Sequence, residues 1–100
     1  DAENLPGSHW IALRISTHHI EIYDTLCLKK YPQALIDLFK SKPLKRLPLI
    51  QSTDSYLCGF YACFFILSRN IYSFQKLRSF FTDNLPDNDL ILYQLLNELW

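Results

Sequence analysis

The stretch Cys58-Gly59-Phe60-Tyr61-Ala62-Cys63-Phe64-Phe65-Ile66-Leu67 is apolar on every side and long enough to form a helix. A helix without a polar face belongs in the interior, so the rest of the chain is expected to build around it as a central, buried element. With 100 residues, the chain can supply one domain and one core. The apolar run is far short of the ~20 residues that cross a bilayer, and no charged start followed by an apolar signal stretch opens the sequence. Composition fits a packed domain. Apolar residues make up 49% and charged residues 20%, with two Gly and five Pro, which excludes collagen-like, low-complexity and disordered classes.

Around that helix the periodicities change along the chain. Residues 10–16 alternate with Ile11, Leu13 and Ile15 on one side, and residues 20–25 alternate with Ile20 and Ile22 on one side, as two antiparallel strands would. Tyr31, Ala34, Leu35, Leu38 and Phe39 then mark an amphipathic helix that Pro43 should end. Leu44 to Ile50, which follows Pro43 and contains Pro48, predicts a short or edge strand. After the apolar helix, Ser73 can cap a helix that places Phe74, Leu77 and Phe81 on one face. Asp87 or Asn88 can open a last helix carrying Leu92, Leu95, Leu96 and Leu99. The expected fold is α+β in the order ββαβααα, a single domain over residues 1–100. The chain lacks Met and its first element starts at His9, so a segment truncated at its N-terminal side is expected.

Parity in the hairpin bears on chemistry. A two-residue turn at Thr17-His18 or at Ser16-Thr17 gives cross-strand partners summing to 35 or 33. Either sum puts His9 and Asp24 on the face of Ile11, Leu13, Ile20 and Ile22, within side-chain reach. A three-residue turn would separate them. A carboxylate beside an imidazole fixes its tautomer and stabilises the imidazolium, the orienting half of a catalytic triad. Cys58 stands where a polar loop becomes the apolar helix, and a helix N-terminus favours a thiolate. Gly59 leaves room beside it for a substrate backbone. The Cys58 backbone N–H and the side-chain amide of Gln51, seven residues earlier, could serve as donors to a developing oxyanion. Taken singly, each residue also has an ordinary structural reading: a packed thiol, a surface histidine, a turn aspartate, a loop amide, and for Trp10 a core or rim aromatic.

Taken together, Gly7-Ser8-His9-Trp10-Ile11-Ala12-Leu13, then Ile22-Tyr23-Asp24-Thr25, then Gln51 ahead of Cys58-Gly59-Phe60-Tyr61, resemble the motifs of the adenovirus-type maturation cysteine proteases (adenain-like) and their relatives in virus-like transposons. The SUMO-specific proteases share the wider fold. The resemblance runs from about Pro6 to Arg69. It implies a papain-like, adenain-like core, with Cys58 as nucleophile, His9 as general base, Asp24 orienting His9, and Gln51 as oxyanion donor. Asp24 stands where adenovirus enzymes carry Glu, and those relatives have a longer segment before the His-Trp motif. The resemblance also implies a thiol protease that needs no cofactor for its chemistry and prefers polypeptides with glycine near the scissile bond, with Trp10 walling a narrow channel. Virion maturation by cleavage of viral or transposon capsid precursors is the expected role, with deconjugation of a ubiquitin-like modifier or an inactive interaction module as alternatives. In adenovirus enzymes a short peptide and DNA act as activators. Here Cys27 could pair with such a peptide, and Lys40, Lys42, Lys45 and Arg46 form the basic cluster that DNA would need.

Global charge offers nothing further to a nucleic acid, because ten Lys and Arg balance ten Asp and Glu. No membrane partner is expected. Three cysteines without a C-x-x-C pair argue for reduced thiols in an intracellular setting, which the resemblance narrows to the nucleus or cytoplasm of a host cell, or a virion. His9, His18, His19, Cys27, Cys58 and Cys63 lack zinc-type pair spacing, and a helix holds Cys58 and Cys63 on different faces, so no metal site is expected.

Overall fold

Two short antiparallel strands, β1 (Ala12–Ile15) and β2 (Ile20–Tyr23), open the fold in the computed structural model, which describes residues 9–28 and 30–99. Gly7 and Ser8 of the His-Trp motif lie outside the described residues, as does the side chain of Leu99. Ile15 pairs with Ile20 and Ala12 with Tyr23, the register of a turn at Thr17-His18. Ser16 N–H donates to the His19 carbonyl (2.9 Å), and its hydroxyl accepts from His19 N–H (3.1 Å), closing that turn. Helix α1 (Gln33–Phe39) then crosses over to β3 (Leu44–Arg46), which lies parallel to β2, so the sheet order is β1-β2-β3. Helices α2 (Cys58–Ser68), α3 (Phe74–Ser79) and α4 (Leu85–Leu99) follow, giving the α+β order ββαβααα.

The central strand is buried on both faces. Tyr23 joins Ala12, Leu47, Ile50, Tyr61, Phe64, Phe65, Phe74, Leu77 and Leu92 in the core, while Ile20 and Ile22 are buried on the opposite side of the strand. The face expected to carry β1 into the core, that of Ile11, Leu13 and Ile15, is not the core face: Ile11 and Leu13 are only half-buried. Ala12, on the opposite face, is its buried residue, and Ile15 is exposed. Tyr31 does not belong to α1 either. The helix starts after Pro32, and the residue before a proline is disfavoured in helical conformation. The third strand ends at Arg46, short of Ile50, since Pro48 cannot extend a ladder. The last helix starts at Leu85, earlier than expected, with Pro86 in its first turn, where a missing N–H costs nothing.

The largest departure concerns α2. Tyr61, Ala62, Phe64 and Phe65 are buried, but Phe60, Cys63, Ile66 and Leu67 are exposed, so the helix is a flank of the core and not its enclosed axis. Cys63 lies on this outer face. The sheet and α4 cover the inner face, and no described element covers the other.

A buried ionic cluster ties α2 to the sheet. Arg69, capping α2, gives two hydrogen bonds to the fully buried Glu21 of β2 (2.9 and 3.1 Å), and His19 lies 2.9 Å from the same carboxylate. The Tyr23 hydroxyl donates to it as well. Burial pushes the Glu21 carboxyl up, but the bonds from Arg69, Tyr23 and His19 outweigh it and hold the group at about 2. Asn88 of α4 makes a second buried joint, donating to the Ile50 and Thr82 carbonyls (both 2.8 Å) and accepting from Thr82 N–H (2.8 Å). Among the described residues no helix is long and apolar enough to cross a membrane.

Candidate active site

The strand register places His9 and Asp24 on one face, and their side chains meet: His9 Nε2 lies 2.6 Å from Asp24 Oδ1. Asp24 directly follows β2 and opens a turn in which Cys27 N–H returns to its carbonyl (3.1 Å). The turn is completed by a positive φ of 51° at Cys27, an uncommon conformation for a residue with a side chain. It aims two backbone donors at the carboxylate, Leu26 N–H to Oδ1 (3.2 Å) and Leu28 N–H to Oδ2 (2.9 Å). The Tyr31 hydroxyl donates to Oδ2 as well. Asp24 is buried, which by itself would raise its pKa. The hydrogen bonds from His9, Tyr31 and Leu28 prevail and hold the carboxyl below the usual carboxylate range.

His9 is the complementary case. Its bond to Asp24 raises the imidazole pKa, burial opposes, and the Cys58 thiol adds a further upward push. With Nε2 on Asp24, the other ring nitrogen, Nδ1, is buried and has no hydrogen-bond partner that meets standard geometry. Cys58 is the first residue of α2 and is half-buried. The imidazole thus has a carboxylate on one nitrogen, no partner on the other, and the Cys58 thiol in its neighbourhood.

Gln51 is fully buried, and its amide is oriented from both ends. The Thr25 hydroxyl donates to Oε1, and Nε2 donates to the Ser55 carbonyl (3.1 Å). The backbone reason is that residues 47–51 run on beside the end of β2, with Ile50 and Gln51 N–H both donating to the Thr25 carbonyl (3.0 and 3.1 Å). Since Nε2 carries two protons, one remains after Ser55 is served. Trp10 is largely exposed and lies over the start of α2; a Cβ added to Gly59 would stand 3.7 Å from its indole, an ordinary contact. Gly59 is therefore not required by crowding within the chain.

Residues that sequence reasoning passed over complete this environment: Tyr31, Arg46, Thr25 and Ser55. Only Tyr31 carried a signal, since Pro32 directly after it removes it from the helix. The basic cluster is partly committed. Lys42 donates to the Ser16 carbonyl (2.8 Å), and Arg46 donates to the Tyr31 hydroxyl (2.9 Å). A cavity of about 150 Å³ between β1 and the end of α2, lined by Leu13, Arg14, Ile66, Arg69 and Asn70 among others, includes none of the site residues. Among the described residues no group of His, Cys, Asp and Glu side chains is arranged to hold a metal ion. Compared with protein-family models, curated proteins and solved structures, the chain matches none of them.

Proposed function

We propose that the chain is the catalytic domain of a cysteine endopeptidase with a papain-like, adenain-like core, cleaving viral or transposon capsid precursors at glycine-containing sites. The observation that carries this reading is the His9 environment: Nε2 fixed on Asp24 at 2.6 Å, a buried Nδ1 without a partner, and the Cys58 thiol near enough to push the imidazole pKa up. In this mechanism His9 Nδ1 accepts the Cys58 thiol proton as Sγ attacks the scissile carbonyl. Asp24 stabilises the resulting imidazolium, and the Cys58 N–H with the spare Gln51 N–H receives the oxyanion. Collapse of the tetrahedral species breaks the C–N bond, and the leaving amine takes the proton back from His9. Water then attacks the thioester with His9 as base; collapse breaks the C–Sγ bond, the acid product leaves, and His9 returns the proton to the Cys58 sulfur.

The deconjugating relatives offer a second reading, favoured by an Asp at position 24 where the adenovirus enzymes carry Glu. Hydrolysis of a Gly-Gly-containing peptide, compared with hydrolysis of a folded ubiquitin-like modifier fusion, separates the two. Peptide cleavage that disappears in both Cys58→Ala and His9→Ala is the expected result. Cleavage that persists in Cys58→Ala would contradict the assignment.

A further inference from the structure

Asp24 presents one oxygen to His9, and the hydrogen bonds around its other oxygen are unusually well anchored. Oδ2 accepts from the Tyr31 hydroxyl and from Leu28 N–H (2.9 Å). One Arg46 nitrogen, Nη2, reaches both supports, donating to the Tyr31 hydroxyl (2.9 Å) and to the Leu28 carbonyl (3.2 Å). Arg46 projects from β3 beside Ile22, two residues before Asp24 in the adjacent strand. Tyr31 is held from a third direction, its ring edge-on to Phe39 of α1 at 5.4 Å. The segment before α1 and the turn after β2 thus meet at one carboxylate oxygen, and β3 braces both through Arg46.

We infer that Tyr31 and Arg46 are positioning residues: together they pin the Asp24 oxygen that His9 does not use, so that the other oxygen stays aimed at Nε2 and Nδ1 stays free to accept. Without the Tyr31 hydroxyl, Oδ2 keeps only Leu28 N–H (2.9 Å) and Oδ1 keeps Leu26 N–H (3.2 Å), so the carboxylate can rock about its Cβ–Cγ bond and the neutral ring can place its proton on either nitrogen. The kinetic side of this inference rests on the protease reading, whereas the tautomer itself does not.

The test is Tyr31→Phe, which removes only the hydroxyl and keeps the ring against Phe39, together with Arg46→Ala at an exposed side chain. Ring nitrogen-15 shifts of His9, read where the imidazole is neutral, report the tautomer. The expected result is a nearly pure Nε2–H tautomer in the unaltered chain and a clear admixture of Nδ1–H in both variants, with Arg46→Lys in between. Peptide hydrolysis should lose about tenfold in kcat, the scale of one charge-assisted hydrogen bond, with KM little changed. An unchanged tautomer in both variants would overturn the inference. A changed tautomer, in a chain whose unaltered form hydrolyses no peptide, would support the positioning role and count against the protease reading.

Discussion

At the scale of single residues, the His9–Asp24 pair makes a pH-dependent contribution whose window follows from the two shifts. Asp24 is lowered from 3.8, so the stability of its ionised form is present above that value and lost as pH falls through the folded pKa. His9 is raised from 6.5, so the stability of its protonated form is complete below that value and lost as pH rises through the folded pKa. The difference in thermal midpoint between the unaltered chain and Asp24→Asn should therefore be largest between about pH 4 and 6.5 and shrink on both sides. A difference that falls off neither below about pH 4 nor above about pH 6.5 would remove the ion pair. Gln51 yields a second expectation. Gln51→Glu still accepts from Thr25, loses the bond to Ser55 and repels an oxyanion, so kcat should fall by ~10² to 10³. Near-normal kcat in Gln51→Glu would take it out of the mechanism.

At the scale of elements, Arg69 and Glu21 show how α2 is fastened to the sheet. Removing Arg69 leaves the buried carboxylate with the longer Arg14 contact (3.8 Å) and His19 as basic neighbours, so Arg69→Ala should destabilise by about 3 kcal/mol in chemical denaturation at neutral pH, and Arg69→Ala with Glu21→Leu by less. Similar losses in the single and double variants would mean the cluster contributes packing alone. The two faces of α2 should differ just as sharply. Phe64→Ala empties core volume and should cost about 3–5 kcal/mol. Cys63→Ser, on the exposed face, should change stability by no more than about 0.5 kcal/mol. This contrast marks the limit of what periodicity conveys. The alternation of apolar and polar residues around Ile20 and Ile22 was enough to bring His9 and Asp24 to one face, because a one-residue slip would have moved them apart. The run in α2 is apolar all round, so its pattern specifies burial without saying which side the remaining elements reach. The turn at Asp24 was legible as a turn. Its convergence with Tyr31 and Arg46 was not, since that depends on β3 lying parallel beside β2.

At the scale of the whole molecule, the Cα radius of gyration is 13.5 Å, close to the ~13 Å usual for 100 residues. The shape is nevertheless flattened, 35 × 34 × 23 Å, as befits a thin sheet with helices packed against it and one helix face left open. That flattening puts Cys58 and Cys63 of the same helix in opposite situations. Cys63 is exposed on the open face, and Cys58 is half-buried where the helix start meets His9 and Trp10. Access alone favours reaction at Cys63, whereas activation by the imidazole favours Cys58. The deciding measurement is the rate of iodoacetamide modification at each thiol of the folded chain near neutral pH, resolved by peptide mass spectrometry, with and without His9→Ala. The expected result is Cys58 modified faster than the more exposed Cys63, with that advantage abolished in His9→Ala and the Cys63 rate unchanged. Modification of Cys63 first, or a Cys58 rate indifferent to His9, would contradict a thiol–imidazole–carboxylate site in this protein.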